Sequence, residues 1–245
     1  HASTQMGIHD RFGALWAEKE GLSRAILSRE LSLGQIEAIK QDARIGLEVF
    51  VHGALCYCFS GGCLFSSMLG GRSGNRGLCA QPCRKRYKLG DKQGFLLSTA
   101  DTFGVDSVPE LLRIGVESLK IEGRMRGPLY VYLASKIYRS VIDRAERGEV
   151  EIITDRERDL LETVFNRGFS RGYLMDEQVM QSNYPDSRGQ PLGEAIIESN
   201  HFKVASGRLG PGDGIKLYRC DQKVGGFEVT SMKDVKGELV IRSPF

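Results

Sequence analysis

Five of the six cysteines lie between Cys56 and Cys83, within the stretch GALCYCFSGGCLFSSMLGGRSGNRGLCAQPCRKRY that spans residues 53–87. Thiols gathered in one loop of an otherwise ordinary sequence are metal ligands or catalytic nucleophiles more readily than structural staples. Cys56, Cys63, Cys79 and Cys83 follow the spacing C-x6-C-x15-C-x3-C, and only the last pair has the short knuckle of zinc ribbons. Irregular spacing from one long loop suits an iron–sulfur cluster better, because a cubane presents its irons in divergent directions. Gly61, Gly62, Gly70, Gly71 and Gly77 let backbone approach inorganic sulfide, and Arg72, Arg76, Arg84, Lys85 and Arg86 supply charge that favours an anionic cluster. A structural zinc ion and buried, unliganded thiols remain the alternatives. Cys58 is a substitute ligand, since a residue two along an extended chain points the same way as Cys56. Cys220, far from the loop, is expected only to pack.

A second group falls where a strand hands over to a helix. In KIEGRMR, Lys120, Glu122 and Arg124 alternate and so share one side of an extended segment, and Gly123 permits a turn. Lysine or arginine there can hold a carboxylate or a phosphate, arginine by a two-pronged fork. An internal ion pair that fixes the loop is the competing reading. Glu48, in the apolar run LEVFVHG, is a buried carboxylate that needs one of these bases as partner. Asp101, after FLLST, is read at a strand end as a catalytic acid or a helix cap. His1 and Gln5 are placed at the same mouth. Arg72 and Arg76, with Asn166 and Arg167 of FNRGFSRGY, are candidates for substrate contact, although a helix stop at Gly168 explains the last two as well. His52, four residues before Cys56, keeps a Cys–His nucleophile open. No HExxH occurs in the sequence.

The elements that must position these groups alternate in type. HASTQM and SRAILSR read as strands. Asp10 caps a helix that stops at Gly21, and Ser32 caps a helix with Leu33, Ile36 and Ile39 on one face. LEVFVHG reads as a strand buried on both faces, with the cysteine loop leaving its C-terminal end. A hairpin over YKLGDKQGFLLS, a helix over SVPELLRIG, a strand over VESLKIEG and a long helix from Pro128 to Gly148 follow, then a helix from Thr154 or Asp155 to about Phe165. Strands separated by helices imply a parallel sheet. About five such βα units suggest part of a TIM-like (β/α) barrel, with an open doubly wound sheet as alternative; no GxGxxG follows any strand. Residues 1–175 are assigned to this α/β portion. Residues 176–245, rich in short strands and glycine turns, are assigned to a small all-β barrel or sandwich, reached through a link over 175–189.

The chain has 245 residues, 41% hydrophobic and 27% charged, with a formal net charge of +3. That is a composition able to build a core, and a charge that permits a nucleic-acid partner without arguing for one. No apolar run is long enough to span a membrane and no export leader is evident, so a reducing, cytoplasmic setting is expected. The absence of an initiator Met leads to the expectation of further barrel units upstream of His1. The oligomeric state is left open.

EVFVHGALCYCFSGGCLFSS, GNRGLCAQPCRKRY, STADTFGVDSVPELLRIGVESLKIEGRMRGPLYV and FNRGFSRGYL together resemble the U32 peptidase family, also called collagenase-like proteases, over roughly residues 1–175. The resemblance implies a 4Fe–4S cluster on Cys56, Cys63, Cys79 and Cys83. It further implies oxygen-independent hydroxylation of a tRNA or rRNA base or of a ubiquinone precursor, with prephenate as small-molecule oxygen donor in the RNA-modifying branch. Proteolysis, the older family label, is the alternative function. An RNA-binding module with a structural metal site is the second alternative.

Overall fold

The computed structural model of the chain describes residues 1–198, 201–204, 209–219, 222–235 and 238–242. These divide into two compact units, His1–Gly189 and Gln190–Phe245. Cys220 lies outside the described residues.

The first unit is mixed α/β. Its elements are α1 (Arg11–Lys19), β1 (Arg24–Ile26), α2 (Leu33–Asp42), β2 (Gly46–Ala54), α3 (Phe65–Gly70), the hairpin β3 (Tyr87–Leu89) and β4 (Lys92–Gly94), β5 (Asp101–Phe103), α4 (Val108–Ile114), β6 (Ser118–Ile121), α5 (Pro128–Glu146), α6 (Asp155–Thr163) and β7 (Phe169–Ser170). Local chemistry fixes the helix ends. Asp10 accepts from Gly13 N–H, and Ser32–Gln35 and Thr154–Glu157 form reciprocal capping boxes. Pro128 opens α5, where its missing N–H costs nothing.

β2 is the spine. It pairs in parallel with β1 (Ile26 opposite Glu48) and with β6 (Phe50 opposite Lys120), and its last residues pair with β5 (Ala54 opposite Asp101). β7 runs parallel to β5. Leu47, Val49 and Val51 of β2 pack with Ile36, Ile39, Leu111, Ile137 and Val141 from the helices, so the strand is buried on both faces as its apolar run requires.

The sheet is open among the described residues. Two expectations are corrected. β5 runs antiparallel to β2, so the sheet is mixed and Asp101 begins a strand instead of following one. HASTQM is not a strand: Ala2 makes a single bridge to Ala25, and Thr4–Met6 then turns as a 3-10 helix, capped by Ser3 and closed by Gly7 in the left-handed region.

The second unit is all-β. β8 (Ala195–Glu198), β9 (His201–Val204), β12 (Met232–Val235) and β13 (Glu238–Arg242) make one antiparallel sheet in the order β12-β13-β9-β8. β10 (Gly214–Arg219) and β11 (Gln222–Glu228) form a hairpin. Val204, Val229 and Ile241 form its small buried centre. No helix among the described residues is long and apolar enough to cross a membrane.

Candidate functional site

The site grows from the C-terminal ends of the parallel strands β1, β2 and β6, where side chains from different strands converge. Gly53 brings β2 and the segment after β6 together. At φ 97° it sits where a Cβ would lie 2.4 Å from the Glu122 carbonyl oxygen and 2.7 Å from the Tyr130 hydroxyl. That hydroxyl in turn donates to the Glu122 carbonyl at 2.8 Å.

The cysteine loop leaves β2 at Leu55 and is tied down at both ends. Arg84 Nη2 donates to the Leu55 carbonyl (2.9 Å) and to Thr99 Oγ1 (2.8 Å), while Nη1 reaches Ser98 Oγ (2.8 Å) and the Thr99 carbonyl. Inside the loop, Ser66 Oγ on α3 accepts from Ala80 N–H at 2.9 Å. The loop rests on the Thr4–Met6 turn through Gly61, where a Cβ would stand 2.6 Å from the Gln5 carbonyl oxygen. Gln5 Nε2 donates to the Asn75 carbonyl, and Asn75 Nδ2 donates to the Gly61 carbonyl at 3.1 Å.

A cavity of about 480 Å³ opens between loop and sheet. Its wall carries Cys56, Cys63 and Cys79 together with Lys120, Glu122 and Arg124, and also Gln5, Arg29, Phe50, Phe59 and Asn75. Lys120 Nζ donates to Glu48 Oε1 at 2.6 Å, so the base sought by Glu48 is Lys120. Ser118 Oγ and Arg24 also face this carboxylate, at 3.2 and 3.5 Å. Burial pushes the Glu48 carboxyl up, but Lys120, Ser118 and Arg24 together hold it below its ordinary value. Glu122 accepts from its own neighbour, Arg124 N–H, at 3.1 Å, so neither Lys120 nor the Arg124 guanidinium is spent on it.

The thiols are close enough to feel one another. Burial raises the Cys83 thiol, Arg84 opposes, and Cys56, Cys79 and Cys63 add to the rise. Cys58 is raised by burial and by Cys63, to which it is hydrogen-bonded. Among the described residues no three His, Cys, Asp or Glu side chains converge tightly enough to hold a single metal ion. Cys56, Cys63, Cys79 and Cys83 are half-buried or exposed and all free, and four thiols from one loop are by their chemistry a donor set that suits an iron–sulfur cluster.

Other expected site residues sit elsewhere. His52 is 1% exposed, caged by Phe103, Tyr130, Tyr138 and Phe169 at ring distances of 5.3–6.1 Å, and does not line the cavity. Burial lowers its pKa to about 4, and its Nε2 has no partner. Asp101, 1% exposed, is ion-paired to Arg167 Nη1 at 3.1 Å. Arg167, itself buried, also donates to the Pro185 carbonyl and to Gln81 Oε1. Asn166 is buried too, bridging the Glu162 and Val164 carbonyls to Gly168 N–H. These three residues hold the turn into β7 from within, in place of the accessible positions expected of them. His1, Arg72 and Arg76 are exposed and off the cavity wall, while Gln5 is on it.

Two residues escaped the sequence reading. Arg84 reads in the sequence as one of several loop charges, though its half-buried guanidinium meets four acceptors. Arg29 was placed inside a strand, yet it follows β1 and lines the cavity over the Phe50 ring at 3.8 Å. A basic residue just past a strand end was the available signal.

An open α/β sheet whose strand ends carry a thiol-lined cavity is thus the class of molecule. The chain belongs to peptidase family U32, whose model matches residues 1–183. It is 34% identical over 252 residues to a 23S rRNA 5-hydroxycytidine synthase of Escherichia coli, covering 95% of this chain and 38% of that protein. It is 30% identical over 307 residues to a tRNA hydroxylation protein of Haemophilus influenzae, covering 98% and 66%. A collagenase of Porphyromonas gingivalis is 32% identical over 252 residues, covering 89% and 60%. The chain therefore spans between about a third and two thirds of the length of these relatives. No solved structure matches it.

Proposed function

We propose that this chain is the cluster-bearing portion of an RNA-modifying hydroxylase that works without molecular oxygen. The observation that carries the reading is the cavity onto which Cys56, Cys63 and Cys79 open together with Lys120, Glu122 and Arg124. Relatives named for 23S rRNA and tRNA hydroxylation support an RNA base as substrate. Cys56, Cys63, Cys79 and Cys83 would hold a 4Fe–4S cluster. When bound, the cluster would supply electrons or a Lewis-acidic iron. Arg124 faces anionic groups of RNA or of a carboxylate oxygen donor such as prephenate, while Lys120 is paired with Glu48 beside it. Glu122 is the carboxylate on the cavity wall. The open sheet is read as one arc of a barrel, followed by a separate β unit, and the setting as a reducing cytoplasm.

Peptidase activity is the second reading, favoured by the collagenase relative. The caged position of His52, away from the cavity wall, weighs against the Cys–His pair it would need. An RNA-binding module with a structural metal site is the third.

The test is anaerobic purification with iron, sulfide and zinc quantified, followed by nucleoside analysis of RNA from a deletion strain complemented with the gene or with Lys120→Met, Glu122→Gln or Arg124→Met. About four irons per chain, and a hydroxylated nucleoside lost in the variants at unchanged iron content, support the proposal. Zinc without iron, or peptide cleavage that survives iron removal, overturns it.

A further inference from the structure

The cavity wall carries three cationic side chains, and they differ in what satisfies them. Lys120 is spent on Glu48 at 2.6 Å. Arg124 is exposed, so water solvates it. Arg29 has neither. Its Nε is out of solvent contact with no hydrogen-bond partner, and its guanidinium makes no ion pair among the described residues. The adjacent Glu30 carboxylate accepts from Ser60 N–H at 2.8 Å and Ser60 Oγ at 3.1 Å through Oε1, and its buried Oε2 has no hydrogen-bond partner. The Glu122 carboxylate is engaged with Arg124 N–H. The remaining polar groups nearby are committed as well: Gln5 to Asn75, Asn75 to Gly61 and Ser66 to Ala80.

A half-buried guanidinium without a counter-charge is costly to the folded chain unless something else occupies its donors. Burial lowers the Arg29 pKa, and the charges of Cys56, Glu122 and Glu30 work against that. Its plane is fixed from one side, because Cζ lies 3.8 Å from the centre of the Phe50 ring. Stacking holds a guanidinium by its face and leaves its edge, the two-pronged fork, for a planar or tetrahedral oxyanion.

We propose that Arg29 is the anion-seating residue of this cavity: its guanidinium, held flat on Phe50, receives a carboxylate or phosphate group of the ligand that enters. This rests on reading the cavity as the ligand site, and it adds which residue holds the ligand. Lys120 and Arg124 then act at the rim and on Glu48, and the anion's position against Phe50 fixes the rest of the ligand relative to the thiols.

The experiment titrates the full chain and its Arg29→Met and Arg29→Lys variants with malonate, inorganic phosphate and a short single-stranded RNA, by calorimetry. Arg29→Met keeps the length of the side chain over Phe50 and removes the charge. Arg29→Lys keeps the charge and removes the fork. Binding of at least one probe to the parent chain, weakened roughly tenfold or more in Arg29→Met and less in Arg29→Lys, is the expected result. Loss confined to malonate assigns the site to a small carboxylate, and loss shared by phosphate and RNA assigns it to a backbone phosphate. A parent chain that binds none of the probes, or an Arg29→Met chain that binds them equally, overturns the proposal. So does Arg29→Met losing its iron, which makes the residue part of the cluster's support instead. Because binding is read without turnover, the two readings fail separately. Arg29-dependent binding in a chain that makes no hydroxylated nucleoside sinks only the hydroxylase. Hydroxylation and binding both intact in Arg29→Met sink only the role of Arg29.

Discussion

Arg84 Nη2 lies 2.9 Å from the carbonyl oxygen of Leu55, and that single contact closes the cysteine loop. Leu55 precedes Cys56 and Arg84 follows Cys83, so one side chain draws together the first and last ligand candidates of a long loop. Thr99 completes the knot, its hydroxyl donating to the same carbonyl at 2.6 Å. The cost of ordering the loop is offset where its ends meet, not along its glycine-rich middle.

Arg84→Met should therefore release the loop. It removes charge-assisted bonds to Ser98, Thr99 and Leu55, each worth about 1.5–3 kcal/mol. Because the groups left behind are partly satisfied by one another, a net loss of about 3 kcal/mol is expected. Urea unfolding reads the stability, and iron per chain after reconstitution reads the loop. Unchanged values for both would show that the loop is held elsewhere.

Gly61→Ala attacks the other anchor. The new Cβ would meet the Gln5 carbonyl oxygen at 2.6 Å and its carbon at 2.8 Å, at a φ of +79°. Backbone atoms cannot swing aside, so the loop must lift from the Thr4–Met6 turn, at roughly 2 kcal/mol or more. Gly71→Ala is the control: its φ is +68°, but nothing lies within 4 Å, so only the conformational cost of about 1 kcal/mol applies. The rate of thiol labelling should rise in the first variant and not in the second.

What the sequence disclosed, and what it hid, follows from the range of each interaction. The starts of α1, α2, α5 and α6 were legible because Asp10, Ser32, Pro128 and Thr154 act within one helical turn. The burial of β2 was legible because its apolar run admits no solvent face. The reversal of β5 was not, because a strand of Asp101–Phe103 takes its direction from pairing with His52–Ala54, far away in the chain. The same holds for charge. KIEGRMR announces three bases, but which carboxylate each meets depends on β6 lying beside β2, which puts Lys120 on Glu48. Arg29 and Arg84 look like ordinary charged residues because nothing local records that a guanidinium is half-buried.

His52 should make the fold acid-sensitive. Burial lowers its pKa from 6.5 to about 4, so the unfolded chain binds the proton first as pH falls. Its contribution is complete above pH 6.5 and is lost between 6.5 and about 4. A shift of about 2.5 units (6.5 minus about 4) corresponds to roughly 3 kcal/mol. Carboxylates also titrate at the lower end, so the measurement is the difference between the parent chain and His52→Phe, by denaturant unfolding at pH 7 and pH 5. The variant should show the shallower pH dependence. Equal dependence would mean the aromatic cage admits the imidazolium.

Cys58→Ser should leave iron content unchanged, whereas serine at Cys56, Cys63, Cys79 or Cys83 should each lower it. Cys58 is hydrogen-bonded to Cys63, so its loss perturbs a neighbour without removing a proposed ligand. Iron analysis and the visible spectrum check this. Loss of iron in Cys58→Ser together with retention in Cys63→Ser would exchange their roles.

Asp101 and Arg167 offer the sharpest separation of structural from catalytic work. Their side chains are 2% and 6% exposed and meet at 3.1 Å, with Arg167 further tied to the Pro185 carbonyl at 2.9 Å. Breaking a buried pair strands the surviving charge, at about 3–5 kcal/mol, while replacing both partners with neutral groups costs far less. Asp101→Asn should thus destabilise the first unit strongly, and Asp101→Asn with Arg167→Met should recover part of the loss in unfolding experiments. If Asp101 were instead a catalytic acid, Asp101→Asn would keep its melting temperature and lose product, and the second substitution would restore nothing. A double-mutant cycle run on stability and on modified nucleoside together decides between the two. The cycle should close on stability: the pair holds β5 against β7, and through them the end of β2 from which Cys56 departs.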